Sequence, residues 1–432
     1  MLSVGLAGKP NSGKSTFFKA ATLVEVDIAN YPFTTIDANH GVSYVRVPCP
    51  CKDLGIEKGC GRCKDGVRFI AIELIDVAGL VPDAHLGKGL GNEFLDALRV
   101  AEAVIHVLDA SGGTDAEGNP VGTGNYDPVS DVKFLEYEIS MWLNGILNRN
   151  WEKLMRNFRA LGGKPDQVLI EQMAGAGVSD SQIRRALTEM KKDLGSWNAE
   201  DVKMFAILLR RYSKPMILAA NKMDVAPPEN VKKLLALKEE VVIPVSGAAE
   251  IALRMAEKAG LISYRPGDPD FQIKGDLNPA QKAGLEKIGA LMKQFGGTGV
   301  QECINRAIFE LLDYIVLYPV EDENKFTDRK GVILPDAFLM KRGSTARDLA
   351  FRVRVGRVEA RVGLDIPEGQ RELPAGRPKA LLHQPVQRDR AADLVAVGQG
   401  LHQHGRAGLV GLEGQHAFHE LIAAAPARQV RR

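Results

Sequence analysis

The sequence predicts a mostly parallel, doubly wound α/β sheet, and three observations carry that prediction. Near-continuous apolar runs recur at residues 2–7, 69–75, 103–108, 215–220 and 241–245, as strands buried on both faces of a parallel sheet require. Each run stops at a short polar or Gly-rich motif, the position where such sheets place their ligands. The first run passes through a glycine loop into a helix-like stretch at residues 15–23, giving the order strand, loop, helix.

Bulk properties bound the answer. A chain of 432 residues exceeds one ordinary core, so two or three domains are expected. The formal charge of +2 supplies no global field for nucleic acid. The first motif follows the N-terminus so closely that no room is left for a signal peptide. No apolar run approaches the roughly 20 residues of a membrane span. A cytoplasmic protein without a membrane partner is expected, and nothing in the sequence fixes its oligomeric state.

The remaining elements follow in order. Val42-Ser43-Tyr44-Val45-Arg46-Val47 alternates as a half-exposed strand does. The stretch between Asp109 and Asn221 is longer than one crossover helix needs. It opens with a Gly/Asp/Pro-rich loop at 112–128, and Leu135, Ile139, Trp142 and Ile146 then recur at helical spacing. Residues 179–194 read as a second helix with Ser179 or Asp180 as N-cap. A helical insertion over about residues 130–210 is expected, with Trp142, Trp151 and Trp197 as packing residues in it.

The motifs together describe one guanine-nucleotide pocket. In Gly8-Lys9-Pro10-Asn11-Ser12-Gly13-Lys14-Ser15 the glycines let backbone amides turn around phosphates. Lys14 adds a point charge, and Ser15 offers Mg²⁺ a hydroxyl. Gly8, Pro10, Asn11, Ser12, Gly13, Lys14, Ser15 and Thr16 are the expected phosphate contacts. Asp76 of Asp76-Val77-Ala78-Gly79 is expected in the Mg²⁺ shell, and the Gly79 amide at the last phosphate. One of Thr34 and Thr35 should complete the metal shell, and Thr35 is the expected ligand. The catalytic set is Lys14, Thr35, Asp76 and Gly79, with residues 30–35 and 79–91 as the two switches.

The base is read elsewhere. The Asp224 carboxylate of Asn221-Lys222-Met223-Asp224 can accept from guanine's ring N–H and amino group, which adenine cannot match. Lys222 can lie along the base, and Ala248 of Ser246-Gly247-Ala248 can offer its amide to the guanine oxygen. Leu80 stands just after Gly79, where many GTPases place a water-orienting Gln. Slow intrinsic turnover is therefore expected, with water placed by K⁺ held at Asn11, by His85, or by a partner. For His85, a surface histidine on a loop is the plainer reading.

Cys49, Cys51, Cys60 and Cys63 crowd one loop, residues 48–64. Two close pairs can cage Zn²⁺, or work as redox thiols or disulfides, or do neither. The one-residue gap of the first pair is tighter than the usual two. A zinc knuckle there could touch RNA or read the switch state.

Asn30-Tyr31-Pro32-Phe33-Thr34-Thr35, Asp76-Val77-Ala78-Gly79-Leu80-Val81-Pro82 and Gly87-Lys88-Gly89-Leu90-Gly91-Asn92 resemble the Obg superfamily of GTPases, above all its archaeal YchF-related group. The resemblance spans about residues 1–353. It implies a P-loop NTPase G domain with a helical insertion, a hydrophobic residue replacing the catalytic glutamine, and association with ribosomes or RNA. YchF relatives with altered base-reading motifs favour ATP; this chain keeps Asn221, Lys222 and Asp224, so GTP and GDP are expected. An ATPase of the same fold is one alternative. A zinc-bearing RNA or ribosome-binding module with residual hydrolysis is the other.

Residues 318–345 resemble the start of a TGS domain, a small β-grasp fold, with Thr345 and Asp348 at capping-box spacing. The expected division is a G domain over 1–316, the start of a TGS domain over 317–354 and an atypical tail over 355–432. In that tail lysine nearly vanishes, and His383, His402, His404, His416 and His419 gather. A shifted reading frame or an unrelated extension is the hypothesis for it; translation of the other two frames tests the first.

Overall fold

The computed structural model describes residues 1–22, 39–56, 60–77, 79–80, 82–86, 97–160, 162–238 and 240–359. Its centre is a six-stranded sheet built from β1 (Ser3–Ala7), β2 (His40–Pro48), β3 (Val67–Asp76), β4 (Ala103–Asp109), β5 (Met216–Asn221) and β6 (Val242–Pro244), in the order β2-β3-β1-β4-β5-β6. All neighbours run parallel except the edge pair β2–β3. The apolar runs explain the burial: every residue of β1, β4 and β5 is buried, whereas β2 alternates as its sequence does.

Register puts the motifs side by side. Leu6 pairs with Asp76 and with Ile105, Ala7 with His106, and Asp109 with Asn221. The glycine loop, Asp76, Asp109, Asn221 and Ser246 thus emerge along one edge, at the carboxyl ends of parallel strands. Helix α1 (Lys14–Thr22) starts inside the loop.

The insertion holds α2 (Val129–Arg149), α3 (Trp151–Ala160), α4 (Pro165–Met173), α5 (Asp180–Met190) and α6 (Ala199–Ser213). Leu135, Ile139, Leu143 and Leu147 form the buried stripe of α2 and pack with Phe205 and Leu209 of α6. The three tryptophans belong to this core; Trp151 and Trp197 stack at 6.3 Å between ring centroids. Helix α5 is shorter than the 179–194 expectation. It begins after Ser179, whose N–H donates to Gln182 Oε1, and ends where Lys191 takes a left-handed φ of 51°. That conformation cannot continue a right-handed helix.

Helix α7 (Pro228–Leu235) joins β5 to β6, and beyond β6 come α8 (Gly247–Lys258), α9 (Pro279–Phe295) and α10 (Val300–Arg306). Strands β7 (Ile262–Ser263) and β8 (Gln272–Ile273) pair antiparallel, as do β9 (Tyr314–Leu317) and β10 (Phe338–Lys341), and α11 (Ala346–Glu359) follows. The Thr345 N–H donates to Asp348 Oδ2 at 2.8 Å, and the Asp348 N–H to Thr345 Oγ1 at 3.3 Å, so the expected capping box forms. The histidine-rich stretch lies outside the described residues.

His106 sits in the middle of β4, fully buried, with its Nδ1 unpartnered among the described residues. Burial, then the charges of Lys14 and Lys9, holds its pKa down to about 3. The unfolded chain takes up this proton near pH 6.5 and the folded chain does not, so the contribution is present above that pH and is lost as pH falls. Stability should decline below about pH 6.5 with up to about 1.4 kcal/mol per pH unit from this group. Urea unfolding of His106→Leu between pH 7 and about 4.5 should show a slope flatter by about one proton; identical slopes would remove His106 as the cause.

Candidate nucleotide site

The loop between β1 and α1 owes its path to two glycines. Gly8 has φ +151°, and a Cβ there would lie 2.4 Å from Val107 O; Gly13 has φ +95°, and a Cβ would lie 2.2 Å from Asn221 Nδ2. Any side chain at either position would push the loop off the sheet. Lys14 is buried and donates from Nζ to Lys9 O at 2.9 Å. Its ammonium is thereby turned into the cradle that its own loop forms. Thr16 packs by its methyl toward Gly247 at the start of α8.

The expected metal ligands Ser15 and Asp76 lie beside it. Ser15 Oγ donates to Asp76 Oδ2 at 3.3 Å, and Asp76 Oδ1 is buried without a partner among the described residues. Burial pushes the Asp76 carboxyl up, opposed by Lys14 and Ser15; burial lowers Lys14, opposed by Asp76. An orphaned carboxylate oxygen beside a hydroxyl fits a hard, oxygen-seeking cation such as Mg²⁺. Thr34 and Thr35 lie outside the described residues. The Gly79 backbone abuts Pro10 of the phosphate loop. The Leu80 N–H donates to Gly8 O at 3.1 Å while its side chain enters the core.

The residues expected to read the base are fastened to the same loop. Asn221 donates from Nδ2 to Ser12 O at 3.2 Å and accepts the Gly247 N–H on Oδ1 at 3.1 Å. Lys222, held at φ 61°, donates to Asn11 O at 2.8 Å and pairs with Asp109 Oδ2 at 2.9 Å. Asp224 Oδ1 accepts from Ser246 Oγ at 2.7 Å, and that hydroxyl also caps α8 by accepting the Ala249 N–H. Ala248 is in the first turn of α8, where an N–H has no intrahelical acceptor.

Sequence reasoning missed three residues that organise this ground. Asp109 anchors Lys222 and accepts from Ser111 and Thr114. Lys9, deep in the loop, pairs with Asp131 Oδ2 at 2.8 Å, donates to Thr114 O and lies over the Tyr126 ring. Glu138 of α2 accepts the Asp83 N–H at 2.9 Å, the His85 N–H at 3.0 Å, and contacts His85 Nδ1 at 2.7 Å. His85 is therefore held by the insertion rather than standing free on a surface loop. Lysine and glutamate at these positions carry no sequence signal, because their partners lie about 50 to 120 residues away. Asn11, the expected K⁺ ligand, donates from Nδ2 to Gly118 O at 3.0 Å, which leaves its carbonyl oxygen for a cation. The 112–128 loop thus lies on the phosphate loop.

Known proteins resemble this chain over most of its length. Residues 3–136 match the family described as 50S ribosome-binding GTPase. Residues 219–322 match that described as Obg-like GTPase YGR210-like, G4 motif-containing domain. An uncharacterized GTP-binding protein of Methanocaldococcus jannaschii is 51% identical over 362 residues, covering 82% of this chain and 90% of that one. An uncharacterized GTP-binding protein of Schizosaccharomyces pombe is 34% identical over 88% of this chain and 97% of its own. The crystal structure of a GTP binding protein from Pyrococcus horikoshii superposes with a TM-score of 0.64 at 39% identity, covering 82% of this chain and 89% of that one.

The close approach of Gly13 to Asn221 can be tested by substitution. Gly13→Ala should weaken GDP binding more than about tenfold, or 1.4 kcal/mol, by titration calorimetry. Gly145→Ala, with nothing within 4 Å of its added methyl, should leave binding unchanged and stabilise α2 by about 0.5–1 kcal/mol. Equal GDP affinity in both variants would place the nucleotide elsewhere.

Proposed function

The chain belongs to the Obg-like, YchF-type GTPase family and is a GTP-binding protein of that group, and from that premise we propose that it hydrolyses GTP to GDP and phosphate as a Mg²⁺-dependent switch serving the ribosome or an RNA partner. The observation that carries this reading is the base corner: Asp224, set by Ser246, stands on the same strand end whose Asn221 and Lys222 grip the phosphate loop. These bonds support a reading in which base recognition and phosphate binding are coupled.

Mg²⁺, when bound, would supply positive charge against the outer phosphates. Ser15 and Asp76 would hold it with Thr35, while Lys14 and the backbone N–H groups of Gly8, Asn11, Ser12, Gly13 and Thr16 would bind the phosphates; Pro10, which has no N–H, would only shape the loop. The Gly79 amide would meet the last phosphate. Leu80 is buried and has no group to orient water, which supports slow unaided turnover. K⁺ near Asn11 or a partner would supply what Leu80 lacks. His85 is already engaged by Glu138, so its use as a base requires that contact to open.

We read residues 1–316 as the G domain, with the insertion as a partner-reading unit, and 317–354 as the opening of a TGS domain; the β9–β10 pair followed by α11 supports the second part. The description 50S ribosome-binding GTPase over residues 3–136 supports the ribosomal assignment.

Competition of GTP with ATP tests the base reading. GTP should win by about 100-fold or more, and Asp224→Ala should erase that preference; equal competition in the native chain would favour an ATPase. Ribosome binding that ignores the nucleotide and survives Lys14→Ala would favour the RNA-binding module. Hydrolysis should be slow in Na⁺ and rise in K⁺ or on ribosomes; fast turnover in Na⁺ alone contradicts the proposal.

Glu138 gives the switch a second test. Glu138→Ala leaves the Asp83 and His85 amides without their acceptor, at about 1–3 kcal/mol each if they stay buried. Hydrogen exchange over residues 82–86 should quicken about tenfold or more in the GDP state, and the contrast with a non-hydrolysable GTP analogue should shrink. An unchanged exchange pattern would separate α2 from the switch.

A further inference from the structure

We propose that Cys49, Cys51, Cys60 and Cys63 hold one Zn²⁺ ion, and that this four-thiolate centre is the counter-charge to buried Arg68 and fastens the β2–β3 edge to the chain around Tyr318 and Leu334. The site is independent of the nucleotide pocket.

The backbone brings the thiols together. β2 and β3 are antiparallel, with Pro48 opposite Val67, so all four cysteines lie in one hairpin connection. The Cys49 N–H donates to Gly66 O at 2.7 Å, the Ile56 N–H to Cys51 O at 2.9 Å, and Lys64 bridges to Val67. These bonds close the loop and point two short segments at each other. Cys49 Sγ lies 3.5 Å from Cys60 Sγ, Cys51 Sγ lies 3.6 Å from Cys63 Sγ, and all four sulfurs fall within 4.8 Å of one another. A tetrahedral centre with Zn–S near 2.3 Å sets its sulfurs about 3.8 Å apart. A disulfide needs about 2.05 Å, and the four cysteines are free. Three of them are 2–5% exposed, which suits a closed structural site.

Arg68 is the second, independent observation. It is 4% exposed, and no carboxylate pairs with it among the described residues. Its Nη2 donates to Leu334 O at 2.5 Å, its guanidinium lies 5.3 Å from the Tyr318 ring centre, and its Nη1 has no partner among the described residues. A buried cation without an anion is costly. Tyr318 and Leu334, the two residues Arg68 touches, share a core with Cys49, Cys51 and Cys60. Binding converts four thiols and Zn²⁺ into a cage of net charge −2, with four protons released. That cage supplies the missing negative charge. Two disulfides would supply none.

Zinc is counted by elemental analysis of the full chain purified without chelator. About one zinc per chain is expected, with the four thiols shielded from a thiol reagent until the metal is withdrawn. Zinc below about one-fifth per chain after dialysis against excess Zn²⁺ would overturn the proposal. So would iron in its place, or an intact mass lower by four hydrogens, the mark of two disulfides. The double variant C60S/C63S should lose the metal; should it fail to fold, the count on the native chain still decides. Chelation should speed hydrogen exchange at residues 314–318 and 332–334 about tenfold. Zinc present with exchange there unchanged would overturn the fastening role.

Discussion

A buried ammonium–carboxylate contact, Lys9 with Asp131, is the constraint on which the site's arrangement rests. Both groups are removed from water, where an unpaired charge is strongly disfavoured and a broken pair costs more than the pair contributes. Burial, helped by the Asp109 charge, pushes the Asp131 carboxyl up, and Lys9 and the Tyr126 hydroxyl oppose that shift. The contact is long in sequence, so it can form only when the insertion has packed. The phosphate loop thus takes its final shape as part of the whole domain, not as a free-standing turn.

Helix α2 extends that constraint to the switch. Asp131 and Glu138 stand seven positions apart on α2, about two turns and 10 Å along its axis. One grips the phosphate loop, the other the chain after Leu80. Anything that shifts α2, including a partner seated on the insertion, acts on both at once. The stripe of Leu135, Ile139, Leu143 and Leu147 against Phe205 and Leu209 makes α2 stiff enough to transmit such a shift, since packed cores deform little.

Charge in the phosphate corner is balanced within the protein before any ligand arrives. Lys14 caps a carbonyl of its own loop and sits near Asp76, each opposing the other's burial shift. Lys222 likewise rests on Asp109 and Asn11 O. A phosphate chain entering the cradle would exchange Lys14's carbonyl partner for oxygens of full negative charge, a stronger partner for an ammonium. Preorganised charge of this kind needs little rearrangement when the ligand binds.

The sequence alone determined the parallel sheet, its strand positions, the helical insertion and the candidate pocket, because those signals are local: apolar runs, glycines and motif spacing are written in consecutive residues. It also marked the four cysteines without deciding their geometry. Only the tertiary structure decided that β2 runs antiparallel, that α5 stops at Met190, that His85 is clasped by Glu138, and that Lys9 and Lys222 reach Asp131 and Asp109. The physical reason is distance along the chain. A lone lysine or glutamate has no pattern of its own, and the partner that gives it meaning is brought near only by folding.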